Sequence, residues 1–133
     1  MRGLDTNVLV RYLTQDDPAQ ARRANAFIAG EVASGVRCFV GSVVLCELVW
    51  VLRGAYGLGK PDVVRTLDRI LATAQFEIGE RDVMLRAAED FRAGKGDFAD
   101  YVIGRLGREA GCTETATFDT KLEGGQLFTL LGA

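Results

Sequence analysis

The most informative absence in this sequence is histidine, which does not occur among its 133 residues. Because histidine is the usual general acid or base near neutral pH, its absence excludes histidine acid–base chemistry and the catalytic triads that contain it. Most zinc sites need histidine as well. Catalysis by this chain would therefore depend on other groups, and carboxylates are the first to consider.

Cysteine is also scarce, with only Cys38, Cys46 and Cys112. The number is odd and no CxxC spacing occurs, so neither a disulfide framework nor a zinc site is indicated. We expect these residues to be reduced, buried thiols.

Long apolar runs and strong positive charge are missing too. The longest apolar run, residues 43–52, is interrupted by Glu47 and is too short to cross a bilayer. No basic segment followed by an apolar segment opens the chain, so we expect no secretory signal, no membrane association and a cytoplasmic location. The net charge of −2 is unusual for a protein that binds nucleic acid. Such binding would require a cation or a local patch of arginine and lysine.

The order of the predicted elements indicates an α/β fold, and the length fits a single domain over residues 1–133. Apolar patterns and turn residues predict strands at residues 3–4, 36–40, 76–78, 114–118 and 126–131. They predict helices at residues 8–14, 18–34, 42–53, 61–74, 82–93 and 98–110. Strands that alternate with helices predict three α/β/α layers around a central, mostly parallel sheet of four to five strands.

Two helix starts are marked by their capping residues. Asp17 followed by Pro18 is a strong start signal, because aspartate accepts hydrogen bonds from free backbone N–H groups and proline suits the first helical position. Ser42 is predicted to cap the helix that contains Glu47.

Asp5 and Asp119 each follow a predicted strand. The carboxyl ends of parallel strands lie at one edge of a sheet, so the two side chains are expected to converge there. Each also has a structural alternative as a helix cap or turn residue.

Glu47 is the only charged residue in the apolar segment 42–52, which predicts a buried helix. A buried, unpaired carboxylate is costly, so Glu47 would need a cation, a set of hydrogen bonds or a raised pKa. A salt bridge to an arginine is one alternative. A metal ion, bound directly or through water, is the interpretation we favour.

Asp97 and Asp100 lie three residues apart and share one face of a predicted helix, where like charges repel each other. Asp97 is well placed as the N-cap, so its structural and catalytic interpretations both stay open. Asp100 cannot be that same cap, and we predict that it is functional.

Together these residues form a set of oxygen donors without histidine, and such a set suits Mg²⁺ or Mn²⁺. A bound ion of this kind can generate hydroxide from water and stabilise a phosphodiester under attack. The sequence therefore predicts a divalent-cation site built from Asp5, Glu47, Asp97, Asp100 and Asp119.

Four motifs occur in the order found in PIN-domain ribonucleases: LDTNVLVRYL around Asp5, a helix bearing Glu47, DFADYVIG around Asp100 and TFD around Asp119. The chain resembles this family over essentially its whole length, and the spacing resembles the VapC-type toxins of type II toxin–antitoxin pairs. The resemblance implies Mg²⁺- or Mn²⁺-dependent endonucleolytic cleavage of RNA, for example tRNA or another structured RNA. It also implies a VapB-type antitoxin as partner, a homodimer, and a heterotetramer or larger assembly with the antitoxin.

By position, the resemblance makes Asp5, Glu47, Asp100 and Asp119 the catalytic acidic residues. The third acidic position stays open between Asp97 and Asp100, although the D-x-x-I spacing to Ile103 favours Asp100. From this cluster we hypothesise that Asp5, Asp100 and Asp119 hold one or two cations directly and that Glu47 positions the attacking water or a metal-bound water. Small polar neighbours would hydrogen-bond within the site, namely Thr6, Asn7 and Thr117. Cations near the motifs could guide the RNA backbone or be ordinary surface charges, namely Arg11, Lys95, Arg105 and Lys121.

Other functions stay open. A phosphohydrolase with an aspartyl nucleophile would open with a D-x-D pair, whereas Asp5 is followed by Thr6 and Asn7. A catalytically silent PIN-like module that binds RNA or protein would not require so many repelling carboxylates. A processing nuclease without an antitoxin is also possible. Part of the amphipathic helices at residues 18–34 and 61–74 could form a dimer or antitoxin interface.

Overall fold

The computed structural model describes residues 1–132, which form six α-helices and five short strands. In chain order the elements are β1 (Arg2–Gly3), α1 (Thr6–Thr14), α2 (Pro18–Ala33), β2 (Cys38–Val40), α3 (Ser42–Gly54), α4 (Lys60–Ala72), β3 (Phe76–Ile78), α5 (Arg81–Ala93), α6 (Phe98–Glu109), β4 (Thr115–Thr117) and β5 (Phe128–Leu130). A short 3₁₀ turn, Thr120–Leu122, lies between β4 and β5.

All strand pairs are parallel, which confirms the predicted α/β fold with a parallel sheet. Three strands form one sheet in the order β1–β2–β3, and β4 pairs with β5 in a second, two-stranded sheet. Beyond the end of β1, Leu4 N donates to Phe39 O at 2.9 Å. This bond holds the carboxyl end of β1 against β2 and fixes where the next residue, Asp5, leaves the sheet.

The core lies between the three-stranded sheet and the helices that cover it. Its largest fully buried side chains are those of Phe76, Phe91, Phe98, Leu9, Leu45, Leu48, Leu67, Ile70 and Met84. Helix α3 packs against α1, α4 and α6. Because α3 touches both α1 and α6, it fixes the positions of the two helices that begin beside Asp5 and Asp97.

All six predicted helices are present, with ends shifted by one or two residues. Asp17 caps α2 by accepting from Gln20 N at 3.1 Å, as predicted. Helix α1 begins two residues before its predicted start, because Asp5 is its cap. The prediction that Ser42 caps α3 is wrong: Gly41 occupies the cap position and Ser42 is the first helical residue.

The prediction of three buried thiols is wrong for Cys112, which is exposed in the turn after α6. Cys38 is buried and Cys46 is half-buried. Burial raises the pKa of the Cys38 thiol. Burial, together with the nearby charge of Asp97, raises the pKa of Cys46 to about 11. Both thiols are therefore protonated, and weak as nucleophiles, near neutral pH.

None of the helices within residues 1–132 combines the length and the apolar composition that spanning a membrane requires.

Candidate active site

Asp5 lies where β1 ends and α1 begins. Its side chain is exposed, and Oδ1 accepts a hydrogen bond from Val8 N at 3.0 Å, which caps α1. No hydrogen bond to Oδ2 is made by any residue the structure describes. The positive end of a helix dipole favours the ionised carboxylate. Asp5 is therefore a fixed carboxylate that keeps one oxygen open to solvent.

Glu47 is held by a residue next to Asp5. Thr6 Oγ1 donates to Glu47 Oε1 at 2.7 Å, which joins the start of α1 to the middle of α3. The second oxygen, Oε2, accepts no hydrogen bond from residues 1–132. The two candidate acids, Asp5 and Glu47, are thus positioned by one short polar connection.

The predicted burial of Glu47 is wrong, since the residue is exposed. Helix α3 buries one face, formed by Leu45, Leu48, Val49 and Leu52. It leaves Val43, Glu47 and Trp50 outside, at the i, i+4 and i+7 spacing of a helix face. The cost of a buried charge therefore does not apply to Glu47. The arginine salt bridge considered as an alternative is absent among the described residues.

Asp97 and Asp100 form a capping box at the start of α6. Asp97 uses both of its oxygens: Oδ1 accepts from Phe98 N at 3.1 Å, and Oδ2 accepts from Trp50 Nε1 at 3.1 Å. Asp100 uses Oδ2 to accept from Asp97 N at 3.0 Å. Its Oδ1 accepts no hydrogen bond within the described part of the chain. Of the two, Asp100 is the better placed to bind an external group.

Asp119 follows β4, as predicted, and caps the 3₁₀ turn. Its Oδ1 accepts from Lys121 N at 2.9 Å, and its backbone N–H donates to Thr117 Oγ1 at 3.0 Å. Leu122, the last residue of this turn, packs against Gly96 so closely that a Cβ on Gly96 would not fit. The turn that begins at Asp119 therefore lies beside the loop that leads into Asp97.

Helix α3 connects the acidic positions. Thr6 contacts it at Glu47, and Asp97 contacts it one turn later at Trp50. Asp119 belongs to the separate two-stranded sheet, and only the contact of Leu122 with Gly96 places its turn near this group. The structure thus brings together three of the four acidic segments directly and the fourth through packing.

The five acids share one electrostatic property. No lysine or arginine within residues 1–132 forms an ion pair with any of them. Of the thirteen other acidic residues, seven form an ion pair within the described chain, namely Asp16, Glu31, Asp62, Asp68, Glu77, Glu89 and Asp90. The remaining six, which are scattered along the sequence, form none within it. The negative charge of the candidate site is therefore left without an internal counter-charge.

The chemistry of these donors fits a hard divalent cation. Four of the acids, Asp5, Glu47, Asp100 and Asp119, each keep one carboxylate oxygen without a hydrogen bond to the described residues. Oxygen ligands of this kind suit Mg²⁺ and Mn²⁺. Within residues 1–132, however, no three acidic or thiol side chains are arranged to hold a metal ion together.

The four candidate cations differ in their internal partners. Arg11 bonds Asp16 at 3.0 Å, and Arg105 makes two hydrogen bonds to Asp90 at 2.7 and 2.8 Å. Lys95 and Lys121 are exposed and form no ion pair with residues the structure describes. Of the four cations, only Lys95 and Lys121 therefore have no side-chain partner among the described residues.

Of the predicted polar neighbours, Thr6 and Thr117 make the hydrogen bonds given above. Asn7 is exposed, and its side chain bonds to no other residue of the described chain. It lines, with Asp5 and Arg11, a cleft of about 460 Å³ beside α2.

Sequence reasoning missed Trp50 and Phe118. Trp50 donates to Asp97 and is 53% exposed, and Phe118 precedes Asp119 and is 79% exposed. The three-residue spacing of Trp50 from Glu47 places both on one helix face, and this spacing could have linked Trp50 to the candidate site. Nothing in the sequence indicated that this face was exposed.

Comparison with known proteins identifies a family for this chain. The family model described as the PIN domain matches residues 4–124. A VapC ribonuclease from Aquifex aeolicus (strain VF5) is 23% identical over 123 residues, covering 92% of this chain and 90% of that protein.

Proposed function

Because this chain belongs to the PIN domain family, we propose that it is a metal-dependent endoribonuclease that hydrolyses RNA phosphodiester bonds and acts as a VapC-type toxin. One observation carries the proposal: the acidic residues at the motif positions have no lysine or arginine partner among the described residues. Carboxylates that repel each other without counter-ions do not stabilise the fold, but they attract a cation strongly. The name of the similar VapC ribonuclease supports the choice of RNA.

By their motif positions, Asp5, Asp100 and Asp119 would hold Mg²⁺ or Mn²⁺ with the oxygens that their cap bonds leave free. One or two of them would bind directly and the rest through water, because no three acids of the described chain are arranged to bind one ion directly. When bound, such an ion supplies Lewis-acid stabilisation of the phosphodiester oxygens and counters the charge of the phosphate. Glu47 positions the attacking water and accepts its proton at Oε2, because Thr6 already occupies Oε1. Thr117 contributes by holding the backbone N–H of Asp119.

The partners are part of the same proposal. A VapB-type antitoxin, a cytoplasmic location and a homodimer, with larger assemblies including the antitoxin, are supported by the similarity to the VapC ribonuclease. The RNA backbone contacts are assigned to Lys95 and Lys121, while Arg11 and Arg105 are held by Asp16 and Asp90.

The test compares cleavage of total RNA by the purified chain in Mg²⁺, in Mn²⁺ and in EDTA. Asp100→Asn and Asp97→Asn form a matched pair, because both remove one charge from the same capping box. Discrete fragments are expected with metal and none with EDTA. Asp100→Asn is expected to slow cleavage roughly hundredfold or more, since it alters a proposed ligand. Asp97→Asn is expected to stay within about tenfold of the parent, as for residues that act through their neighbours.

Several outcomes would contradict this proposal. If the folded, antitoxin-free protein cut no RNA with either metal, a binding module without catalysis would replace it. Hydrolysis of a small phosphomonoester through a phosphoenzyme would indicate the aspartyl phosphohydrolase instead. If Asp97→Asn and Asp100→Asn lost the same amount of cleavage activity, the preference for Asp100 over Asp97 as the metal ligand would be wrong.

A further inference from the structure

Two aromatic side chains beside the acidic residues lie largely in solvent: Trp50 is 53% exposed and Phe118 is 79% exposed. We propose that Trp50 and Phe118 stack on unpaired bases of the RNA next to the acidic site, while Lys95 and Lys121 bind its phosphates. This inference rests on the proposed ribonuclease function and assigns residues for substrate binding.

Trp50 is exposed but fixed. Its indole N–H donates to Asp97 Oδ2 at 3.1 Å, so the ring is held at the start of α6. It shares the outer face of α3 with Glu47. A large ring that is held in place loses little conformational entropy when a base stacks on it.

Phe118 contrasts with the phenylalanines of the core. Phe76, Phe91 and Phe98 are each no more than 1% exposed, whereas Phe118 stands outside at 79%. Its neighbours turn inward: Thr117 and Asp119 are half-buried and hydrogen-bonded to each other at 3.0 Å. The chain therefore presents the Phe118 ring to solvent immediately beside a proposed metal ligand.

Phe118 belongs to a segment that also carries a lysine, and Trp50 hydrogen-bonds to such a segment. Lys95 is two residues before Asp97, the partner of Trp50, and Lys121 is two residues after Asp119. Both lysines line one cleft of about 590 Å³ between the loop before α6 and the 3₁₀ turn. Aromatic rings for stacking together with cations along the backbone are the usual composition of a single-strand binding surface.

The cleft wall is built from residues that already have partners. Tyr101 Oη accepts from Gly96 N at 3.0 Å, and Leu122 also packs against Gly96. These contacts fix the loop that carries Lys95 next to the turn that carries Lys121. The two lysines therefore lie on a preformed surface.

A second copy of the chain is the other occupant to consider for the exposed rings. The centres of protein interfaces are depleted in lysine and in acidic residues. Here Trp50 contacts Asp97 and shares its helix face with Glu47, and Phe118 directly precedes Asp119. These charged neighbours favour a polyanion brought in with a cation over an apolar protein surface.

The test uses the fact that Trp50 is the only tryptophan in the chain. Asp100→Asn in Mg²⁺ serves as the parent, so that RNA binding is measured without cleavage. The probe is a short oligoadenylate, either single-stranded or annealed to oligouridylate. Stacking on Trp50 is expected to quench its fluorescence with the single strand and much less with the duplex.

Substitutions in the same parent separate stacking from other roles. By anisotropy of labelled oligoadenylate, Trp50→Ala and Phe118→Ala are each expected to weaken binding about tenfold or more. Trp50→Phe should restore most of the affinity, because a phenyl ring stacks but cannot donate to Asp97. The matched control is Val43→Ala, which truncates an exposed side chain on the same face of α3. Replacing both lysines with alanine should reduce the slope of log affinity against log salt by about one to two.

Two results would overturn the inference. Trp50→Phe binding as weakly as Trp50→Ala would show that Trp50 acts only by orienting Asp97. Unchanged RNA affinity in all variants, with Trp50→Ala converting a dimer to a monomer, would make the patch an interface between copies. Failure of the ribonuclease proposal is distinguishable, because wild-type cleavage is scored separately from quenching.

Discussion

At the residue scale, the candidate acids divide their two carboxylate oxygens between two tasks. Asp5, Asp100 and Asp119 each give one oxygen to a backbone N–H at the start of a helix or turn. The sequence presented capping and catalysis as alternatives for Asp5 and Asp119, whereas Asp100 was not expected to cap. A carboxylate has two oxygens, so the structure allows both. The cap bond fixes the side chain, and the remaining oxygen is available for a cation.

Asp16 shows the opposite case, a carboxylate whose oxygens are both used inside the protein. Oδ1 accepts from Thr14 and Arg11, and Oδ2 accepts from Tyr56 Oη at 2.6 Å. The hydrogen bonds from Tyr56 and Thr14, with the charge of Arg11, lower the pKa of Asp16 from 3.8 to about 2. The folded protein therefore favours ionised Asp16 more strongly than the unfolded chain does.

A pH-dependent contribution to stability follows from this lowered pKa. Because the folded-state pKa lies below the unfolded value of 3.8, the contribution is present above that pH and is lost as pH falls toward about 2. Asp16→Asn is expected to lower the free energy of unfolding near neutral pH, and the difference from wild type should shrink over this range. Urea unfolding at a series of pH values measures this difference in the free energy of unfolding. The exposed Glu114, replaced by glutamine, is the control, and a difference independent of pH would contradict the assignment.

At the element scale, local signals predicted where helices begin better than which faces they bury. The Asp17–Pro18 pair marks the start of α2, and the predicted strand at residues 76–78 matches β3. Capping and strand patterns act within a few residues, so one sequence contains them. The short 3₁₀ turn after Asp119 was missed because a three-residue turn has no periodic pattern to detect.

The outer face of α3 explains the wrong expectation for Glu47. Because Val43 and Trp50 are apolar, the sequence pattern predicted a helix buried on all sides. Both side chains instead lie in solvent, with Glu47 between them. Which face of a helix is covered depends on how the surrounding elements pack, and a single sequence does not contain that arrangement. The acidic residues themselves were identifiable from their motifs, whereas the exposed aromatic rings beside them were not.

The packing of α6 against the second sheet provides an element-scale prediction. Gly104 is buried on α6, and a Cβ there would lie 2.8 Å from Phe128 Cζ and 3.4 Å from Leu127 Cβ. Gly104→Ala is therefore expected to destabilise the protein by about 1–3 kcal/mol, although alanine favours helices. Urea unfolding measures the change.

Gly30 is the matched control, because it lies inside α2 with no neighbour within 4 Å of the added Cβ. Gly30→Ala should stabilise by about 0.5–1 kcal/mol through helix propensity. If Gly104→Ala stabilised the protein to the same extent, the close approach of α6 to β5 would be wrong. Because β5 pairs with β4, which precedes Asp119, the Gly104 substitution should also slow RNA cleavage.

At the scale of the whole molecule, the location of the unpaired acids matters more than the net charge of −2. Ion pairs hold seven of the thirteen acids elsewhere in the chain, whereas none of the five acids of the candidate site has one among the described residues. Without a cation this site would repel an RNA phosphate. The positive charge of Lys95 and Lys121 in the neighbouring cleft would not be enough to offset this repulsion. We therefore expect RNA binding to depend on cation binding.

A cation that binds the folded site should also raise the thermal stability of the protein, since ligand binding to the native state alone shifts unfolding by mass action. At about a hundred times the dissociation constant the gain is about 2.7 kcal/mol, or a rise in Tm on the order of several degrees for a chain of this size. Mg²⁺ and Mn²⁺ are expected to raise the Tm of the wild type above that in NaCl of equal ionic strength. Asp100→Asn should lose most of this rise and Asp97→Asn should keep it, because only Asp100 has a free oxygen. An equal rise in both variants, or none beyond NaCl in the wild type, would contradict a cation site at Asp100. The measurement needs no RNA, so it tests the charge argument separately from cleavage.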